Sequence, residues 1–469
     1  MLTRCLKSII KVKSVALLSL ITMTIHENSK NRTIRQRNKS VNYLISALYD
    51  ILTRSSIETH DRTVIMKLLY IAQGFGRGFG VSGGDIRFIE IAKRLPDNPK
   101  IYVLTTLAGK MMCLCHGLTR ANYVVSRTQL FSRRERFERT KTERVLSYII
   151  SLIYSSVIIL KTALRRRAKE PLFDIAYSTS DFPVDVLPAV FLKYLKICRK
   201  NVVFIHHEYQ LTIKRKPLIL SIFATLVQRL MHYVIARHFD SVFVYATCEG
   251  GRIAAKFKKY NKRAKIFYMK NGIEYQNIME VLDEKINKEY DLCLVAALRE
   301  SKGIFDFINV LDKLDKLCSN HIKACIIGTG SKEVLHRIQD ELVRRDLCKS
   351  VELKGFIPHG HDLYRAMRQC RILVHPSYEE GWCITILEAL CLGLIVIAYD
   401  LPAYKPIYEN QIVIVPRGDT NQLAQVILRF LRKRNHFSNK RAIIANFAKF
   451  DWKNIAKEEY TALKNILYN

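Results

Sequence analysis

From Met66 onward, short apolar runs alternate with helix-length amphipathic stretches, and this alternation constrains the fold more than any other feature. A strand buried on both faces reads as a continuous apolar run, and a parallel pair needs a crossover long enough to hold a helix. The pattern therefore specifies parallel sheets clothed by helices. Strand-like runs occupy residues 68–72, 101–105, 202–205 and 242–246 in the first half, then 292–296, 323–327, 372–374 and 394–398 in the second. With 469 residues the chain exceeds one ordinary core and suits two domains of about 200 residues each plus an extension. The polar stretch 280–291 places the boundary near 276–290.

Composition excludes several classes. Apolar residues make up 49%, charged residues 25%, and only 19 glycines and 11 prolines occur, which argues against disorder or low complexity. The 12 cysteines show no CxxC pair and only one close couple, Cys113 and Cys115, so neither a zinc knuckle nor a disulfide framework is expected. Reduced thiols follow as the simplest reading. The net charge of +34 attracts polyanions, but nucleic acid, anionic membrane and phosphate-bearing substrates all satisfy it.

Residues 1–65 form a basic extension in which Lys7, Lys11 and Lys13 precede the apolar run 15–25, too short to span a bilayer. Either Met66 is the natural start or the extension is a membrane-contacting arm. Residues 145–160 carry no charge and lie between basic clusters, Arg133 to Lys141 before and Lys161 to Lys169 after. A second apolar stretch, 217–227, follows Lys214, Arg215 and Lys216. Both suit helices lying in an anionic membrane interface, the alternative for the first being a buried core helix.

The most specific signal runs from His375 through Pro376, Ser377, Tyr378, Glu379, Glu380, Gly381 and Trp382 to Glu388 and Gly393. The strand ends at Val374, a loop follows, and a helix is predicted to begin near Trp382. Glu380 then sits at the carboxyl edge of the sheet, where open α/β sheets bind ligands, beside free helix amides suited to an anion. Near the first strand, Gly80-Val-Ser-Gly83-Gly84-Asp85 precedes a helix predicted over 86–95. Glycine in such a turn lets backbone approach a phosphate or sugar.

Glu380 and Glu388 resemble the E-x7-E signature of the retaining glycosyltransferase family four, and further motifs follow in that family's order. They are Asn271-Gly-Ile-Glu274, Lys302-Gly303-Ile-Phe-Asp306, Gly328-Thr-Gly330, Val351 to Ile357, and Phe450-Asp-Trp452. Lys302 to Asp306 and Tyr399 to Tyr404 are closest in flavour to archaeal members. The resemblance covers about Met66 to Asn469. It implies an α/β, GT-B architecture: two Rossmann-like, doubly wound domains facing across a cleft, with a C-terminal helix crossing back to the first. The implied division is a basic extension over 1–65, an acceptor-binding domain over 66–282, a nucleotide-sugar-binding domain over 283–445 and the crossover helix over 446–469.

By the same resemblance, Glu380 holds the sugar and His206, favoured over His207, reaches it from the first domain. Lys302 contacts the donor diphosphate, Glu388 the ribose, and Ile357 lies in the strand that presents backbone to the base. Gly328, Gly381 and Trp382 complete the donor site, and Gly83 and Gly84 form the sugar or acceptor loop. Two positions depart from the family. Ala297 stands where an arginine is common, with Arg299 two residues late, and Cys383 stands where glycine is frequent.

The expected activity is retaining transfer of a hexose-type sugar from a UDP- or GDP-sugar to a lipid-linked or membrane-associated glycan. Since no Asp-x-Asp occurs, no metal and no other cofactor is expected. The expected location is cytoplasmic, peripheral on the inner face of an anionic membrane, without nucleic acid as partner. A soluble disaccharide or glucan synthase, a GT-B epimerase and a non-catalytic polyanion-binding protein are the alternatives.

Overall fold

The computed structural model describes residues 65–74, 82–126, 152–157, 159, 170–208, 218–317, 322–432 and 446–468. The N-terminal extension up to residue 64, Gly80 and Val81 of the glycine loop, the basic clusters around 133–141 and 161–169, and Lys214 to Lys216 lie outside the described residues.

Two sheets organise the chain. The first contains β1 (Lys67–Ala72), β2 (Lys100–Thr106), β3 (Asn122–Ser126), β4 (Phe173–Ser178), β5 (Cys198–Ile205), β6 (Ser241–Tyr245) and β7 (Lys265–Met269), in the order β3-β2-β1-β4-β5-β6-β7. The second contains β8 (Tyr290–Val295), β9 (Ala324–Ile327), β10 (Val351–Gly355), β11 (Cys370–His375), β12 (Ile395–Tyr399) and β13 (Val413–Val415), in the order β10-β9-β8-β11-β12-β13. Each order reverses once, between β1 and β4 and between β8 and β11. These are the switch points where crossover helices leave opposite faces and open a crevice at the carboxyl ends of the strands. Adjacent strands pair in parallel, as in Leu68 with Ile101 and Ile372 with Ile395. All eight strands anticipated from apolar runs are present, and β1 and β9 are almost wholly buried, as two-sided coverage requires.

Local chemistry sets the helix starts. The first-domain helix Gly83–Arg94 begins three residues before the predicted 86. Ser82 and Asp85 form a capping box there, with Asp85 N donating to Ser82 Oγ at 3.2 Å and Ser82 N to the Asp85 carboxylate at 2.9 Å. The helix expected near Trp382 spans Ile384–Cys391, with Cys383 as its N-cap. Of the charge-free run, residues 152–157 are helical and Ile159 is buried, while Ile153 is exposed. Gln73 Nε2 donates to the buried Ser155 Oγ at 3.2 Å, so part of this run is anchored in the first domain.

The final helix, Trp452–Tyr468, packs on Gly83–Arg94 and so crosses back to the first domain. Its entry is fixed by backbone pairing between two motifs distant in sequence: Ile273 N donates to Phe450 O at 2.9 Å and Trp452 N to Ile273 O at 3.1 Å. One apolar cluster is continuous from Leu68 and Tyr70 of the first sheet through Trp382 and Trp452 to Cys293 and Leu373 of the second.

Candidate active site

The switch point of the second sheet gathers most of the predicted residues. At the carboxyl end of β11, His375 is buried and its Nε2 lies 3.0 Å from Glu380 Oε1. The same carboxylate oxygen accepts from Lys302 Nζ at 2.5 Å, and Lys302 also reaches Glu379 O at 3.3 Å. Burial would favour a protonated Glu380, but Lys302 and His375 outweigh it and hold the carboxyl well below its usual range. Burial also opposes charge on His375, yet Cys383 and the Glu380 carboxylate keep its pKa up at about 9.

The Lys302–Glu380 contact is built by loop docking. Tyr378 N donates to Ser301 O at 2.9 Å, joining the loop after β8 to the loop after β11. Gly303 adopts a left-handed φ of 71°, and a Cβ there would run into the carbonyl of Pro376. The Lys-Gly pair therefore carries one residue for charge and one for close approach. Gly381 is the corresponding point between the domains, because a Cβ would strike the carbonyl oxygen of His206. Beside it the Trp382 ring lies 5.8 Å from that of Tyr245.

A cavity of about 160 Å³ is bounded by Ala297 and Gly328 after β8 and β9, Ile357, Glu388 and, from the first domain, Gly83, whereas Lys302, His375 and Glu380 do not line it. Ala297 thus lines the cavity, whereas Arg299 is exposed outside it and holds no ion pair among the described residues. The N-terminal amides of Ile384–Cys391 receive no side-chain cap, which leaves them available to an anion.

Two residues that sequence reasoning missed hold Glu388. His359 Nε2 lies 2.5 Å and Tyr364 Oη 3.1 Å from Glu388 Oε1. Burial opposes a charge on His359, but Glu388 outweighs it and raises the pKa. Both hydrogen bonds fall on Oε1, so Oε2 is the oxygen left for a ligand. His359 follows Pro358 in a loop with no periodic signal, so the sequence offered nothing to single it out. Tyr245, also missed, ends β6 at the carboxyl edge of the first sheet, a position that can identify a site residue.

His206, just beyond β5, forms the opposite wall, with its ring against Gly84. Its Nε2 lies 2.9 Å from Thr179 O and its Nδ1 3.0 Å from Tyr245 Oη. A carbonyl only accepts, so Nε2 carries the proton and Nδ1 accepts from the tyrosine. Asn271 Nδ2 donates to the same hydroxyl at 3.2 Å, completing a chain from the Asn271 motif to His206. Both ring nitrogens are therefore engaged within the protein.

Burial pushes the His206 pKa down from 6.5 to about 4. Between those values the unfolded chain binds a proton that the folded ring refuses. The stability from this group is complete above pH 6.5 and is lost as pH falls through about 4. The full shift corresponds to about 3 kcal/mol, less for the part of the ring that keeps solvent contact. Denaturant titrations at stepped pH should show this slope steeper in the wild type than in His206→Gln; equal slopes would contradict the buried neutral ring.

Residues 275–449 match the family model described as glycosyl transferases group 1. One component of the phosphatidylinositol N-acetylglucosaminyltransferase of Arabidopsis thaliana is 21% identical over 164 residues, 35% of this chain and 36% of that protein. The O-antigen biosynthesis glycosyltransferase WclY from Escherichia coli is 25% identical over 179 residues, 36% of this chain and 47% of that protein. The chain thus spans less than half the length of these curated relatives. Among solved structures, Anabaena Alr3699/HepE in complex with UDP and glucose superposes with a TM-score of 0.61 at 17% identity, covering 85% of this chain and all of that one. Sucrose-phosphate synthase from Thermosynechococcus elongatus does so with 0.63 at 14% identity, over 86% of this chain and 99% of that one. The chain has the two-domain α/β GT-B fold, and residues 275–449 of its second half match the glycosyl transferases group 1 model.

Proposed function

We propose that the chain transfers a hexose-type sugar, with retention, from a UDP- or GDP-sugar to a lipid-linked or membrane-associated glycan. The observation that carries this reading is the Lys302–Glu380–His375 cluster at the switch point of the second sheet, beside uncapped helix amides. A nucleotide sugar places a diphosphate next to the sugar it gives up. Lys302 and the helix amides balance the charge that grows on that diphosphate, and Glu380 holds sugar hydroxyls. Glu388, steadied by His359 and Tyr364, offers its free oxygen to the ribose, and backbone near Ile357 meets the base. His206 and the Gly83–Gly84 turn form the acceptor-side wall. Retention in this arrangement needs no protein base, because the leaving phosphate takes the acceptor proton on the face it departs from.

Surface chemistry supports the acceptor class. On helix Leu218–His238, Ile222, Phe223, Leu226, Leu230 and Tyr233 share one face and are between 37% and 64% exposed. Phe191 and Tyr194 of the neighbouring helix Pro183–Tyr194, and Leu195 at its C-cap, are exposed as well. On a chain of net charge +34 such a face suits an anionic bilayer and a phosphate-bearing lipid. No helix among the described residues is long and apolar enough to cross a membrane. The name of the Arabidopsis relative, which joins phosphatidylinositol to N-acetylglucosamine, supports the same class.

A panel of UDP- and GDP-sugars assayed against membrane lipids tests the reading, with vesicle flotation alongside. Transfer to a lipid extract with the product anomer matching the donor, undiminished by EDTA, is expected. Flotation with anionic but not neutral vesicles is expected, and should be lost in Phe223→Glu. A soluble disaccharide product with no flotation would refute the acceptor assignment, and an inverted anomer the mechanism.

A further inference from the structure

Cys383 adds a third ligand-type side chain to the pair already described. His375 Nε2, Glu380 Oε1 and Cys383 Sγ lie within 4.8 Å of one another. The nitrogen is 3.0 Å from the oxygen and 3.4 Å from the sulfur. A tetrahedral Zn²⁺ with ordinary bond lengths needs about 3.4 Å between nitrogen and oxygen and about 3.6 Å from either to sulfur. The nitrogen's two separations therefore change by only a few tenths of an ångström, and the oxygen–sulfur pair, within 4.8 Å, closes onto the ion. The three come from the end of β11, the loop after it and the N-cap of Ile384–Cys391, elements whose positions are fixed by the sheet and the buried helix. His375 and Cys383 are buried, while Glu380 borders the cleft and gives an ion its entry.

We propose that His375, Glu380 and Cys383 form a binding site for Zn²⁺ or another thiophilic divalent cation, with the fourth coordination position open to the cleft. Zn²⁺ takes the cysteine as thiolate and the histidine as neutral imidazole, so any proton that either ligand carries is released to solvent as the ion binds. Lys302 keeps a partner because Glu380 has a second oxygen. The site goes beyond the transfer reaction proposed above, in which no metal takes part. Resting on that reading, the ion would take Glu380 away from the donor sugar, so Zn²⁺ should inhibit transfer competitively with the nucleotide sugar.

Metal binding is read separately from turnover, so the two readings fail separately. Titrating the full chain with Co²⁺ should produce a thiolate-to-cobalt charge-transfer band that Zn²⁺ abolishes. Cys383→Ser and Cys383→Ala should lose the band and bind Zn²⁺ more than about 100-fold more weakly, beyond the cost of losing a mere outer-shell partner. Cys370→Ser is the control, because Cys325 Sγ and Cys370 Sγ form a separate buried thiol contact at 3.4 Å. X-ray absorption of the zinc-loaded wild type needs no variant and should show one sulfur at about 2.3 Å among nitrogen and oxygen neighbours. No band in the wild type, a band that survives loss of Cys383 or vanishes with Cys370, or two or more sulfurs on zinc would each overturn the site.

Discussion

Glu380→Gln should lower sugar transfer by about 100- to 1,000-fold, the loss typical when one preorganised group facing a transition state is removed. The substitution keeps shape and removes charge. In the native protein one carboxylate oxygen accepts from Lys302 at 2.5 Å and lies 3.0 Å from His375. A glutamine has a single acceptor oxygen, and its amide would face a cation with a donor. Lys302 would then lose the counter-charge that aims it, so the loss should fall on kcat and on donor affinity together. Lys302→Met should cost a similar factor, and the double variant little more than either alone, because both act through one contact. Transfer by Glu380→Gln at the wild-type rate would sink the site assignment. A lower melting temperature with unchanged kcat would mean that the cluster serves stability only.

Much of this site could be read from sequence because its residues serve backbone geometry as well as chemistry. Gly303 and Gly381 are required by close approaches between loops and between domains, so their spacing from Lys302 and Glu380 is set by the fold. The strands were legible because a strand covered on both faces has no polar alternation to confuse it. What stayed hidden depends on contacts between distant segments. His359 matters only because the loop carrying it falls on Glu388, and Tyr245 because Asn271 and His206 meet at its hydroxyl. The early start of helix Gly83–Arg94 was in the sequence, as Ser82 and Asp85, but glycines at the first two helical positions masked the cap. Cys383 shows the converse. As a letter it is a small residue before a helix, and only the fold brings its sulfur to His375.

Glu459→Ala should cost about 3–5 kcal/mol, the usual loss when one partner of a buried ion pair is removed. Arg87, on Gly83–Arg94, pairs with Glu459 on Trp452–Tyr468, and both are almost completely buried, at 2% and 1% exposure. Tyr177 Oη donates to the other carboxylate oxygen at 2.9 Å, and the Arg87 guanidinium lies 4.1 Å from the centre of the Phe204 ring. Alanine at 459 would leave a guanidinium in an apolar interior with no counter-charge. The pair Arg87→Met with Glu459→Leu should recover most of the loss, since a buried ion pair replaced by packed apolar groups is often neutral in stability. Denaturant unfolding of the single and double variants checks both statements. The contact also bears on the site, because the helix that Arg87 anchors begins at Gly83 and Gly84, against the cavity and His206. Releasing the last helix frees that turn, so Glu459→Ala should lower transfer at temperatures well below its melting point. Proteolysis should cut near residue 450 first. If the single variant melts like the wild type, the crossing helix is held by its apolar face alone, and Arg87 is aimed at the cleft for some purpose other than stability.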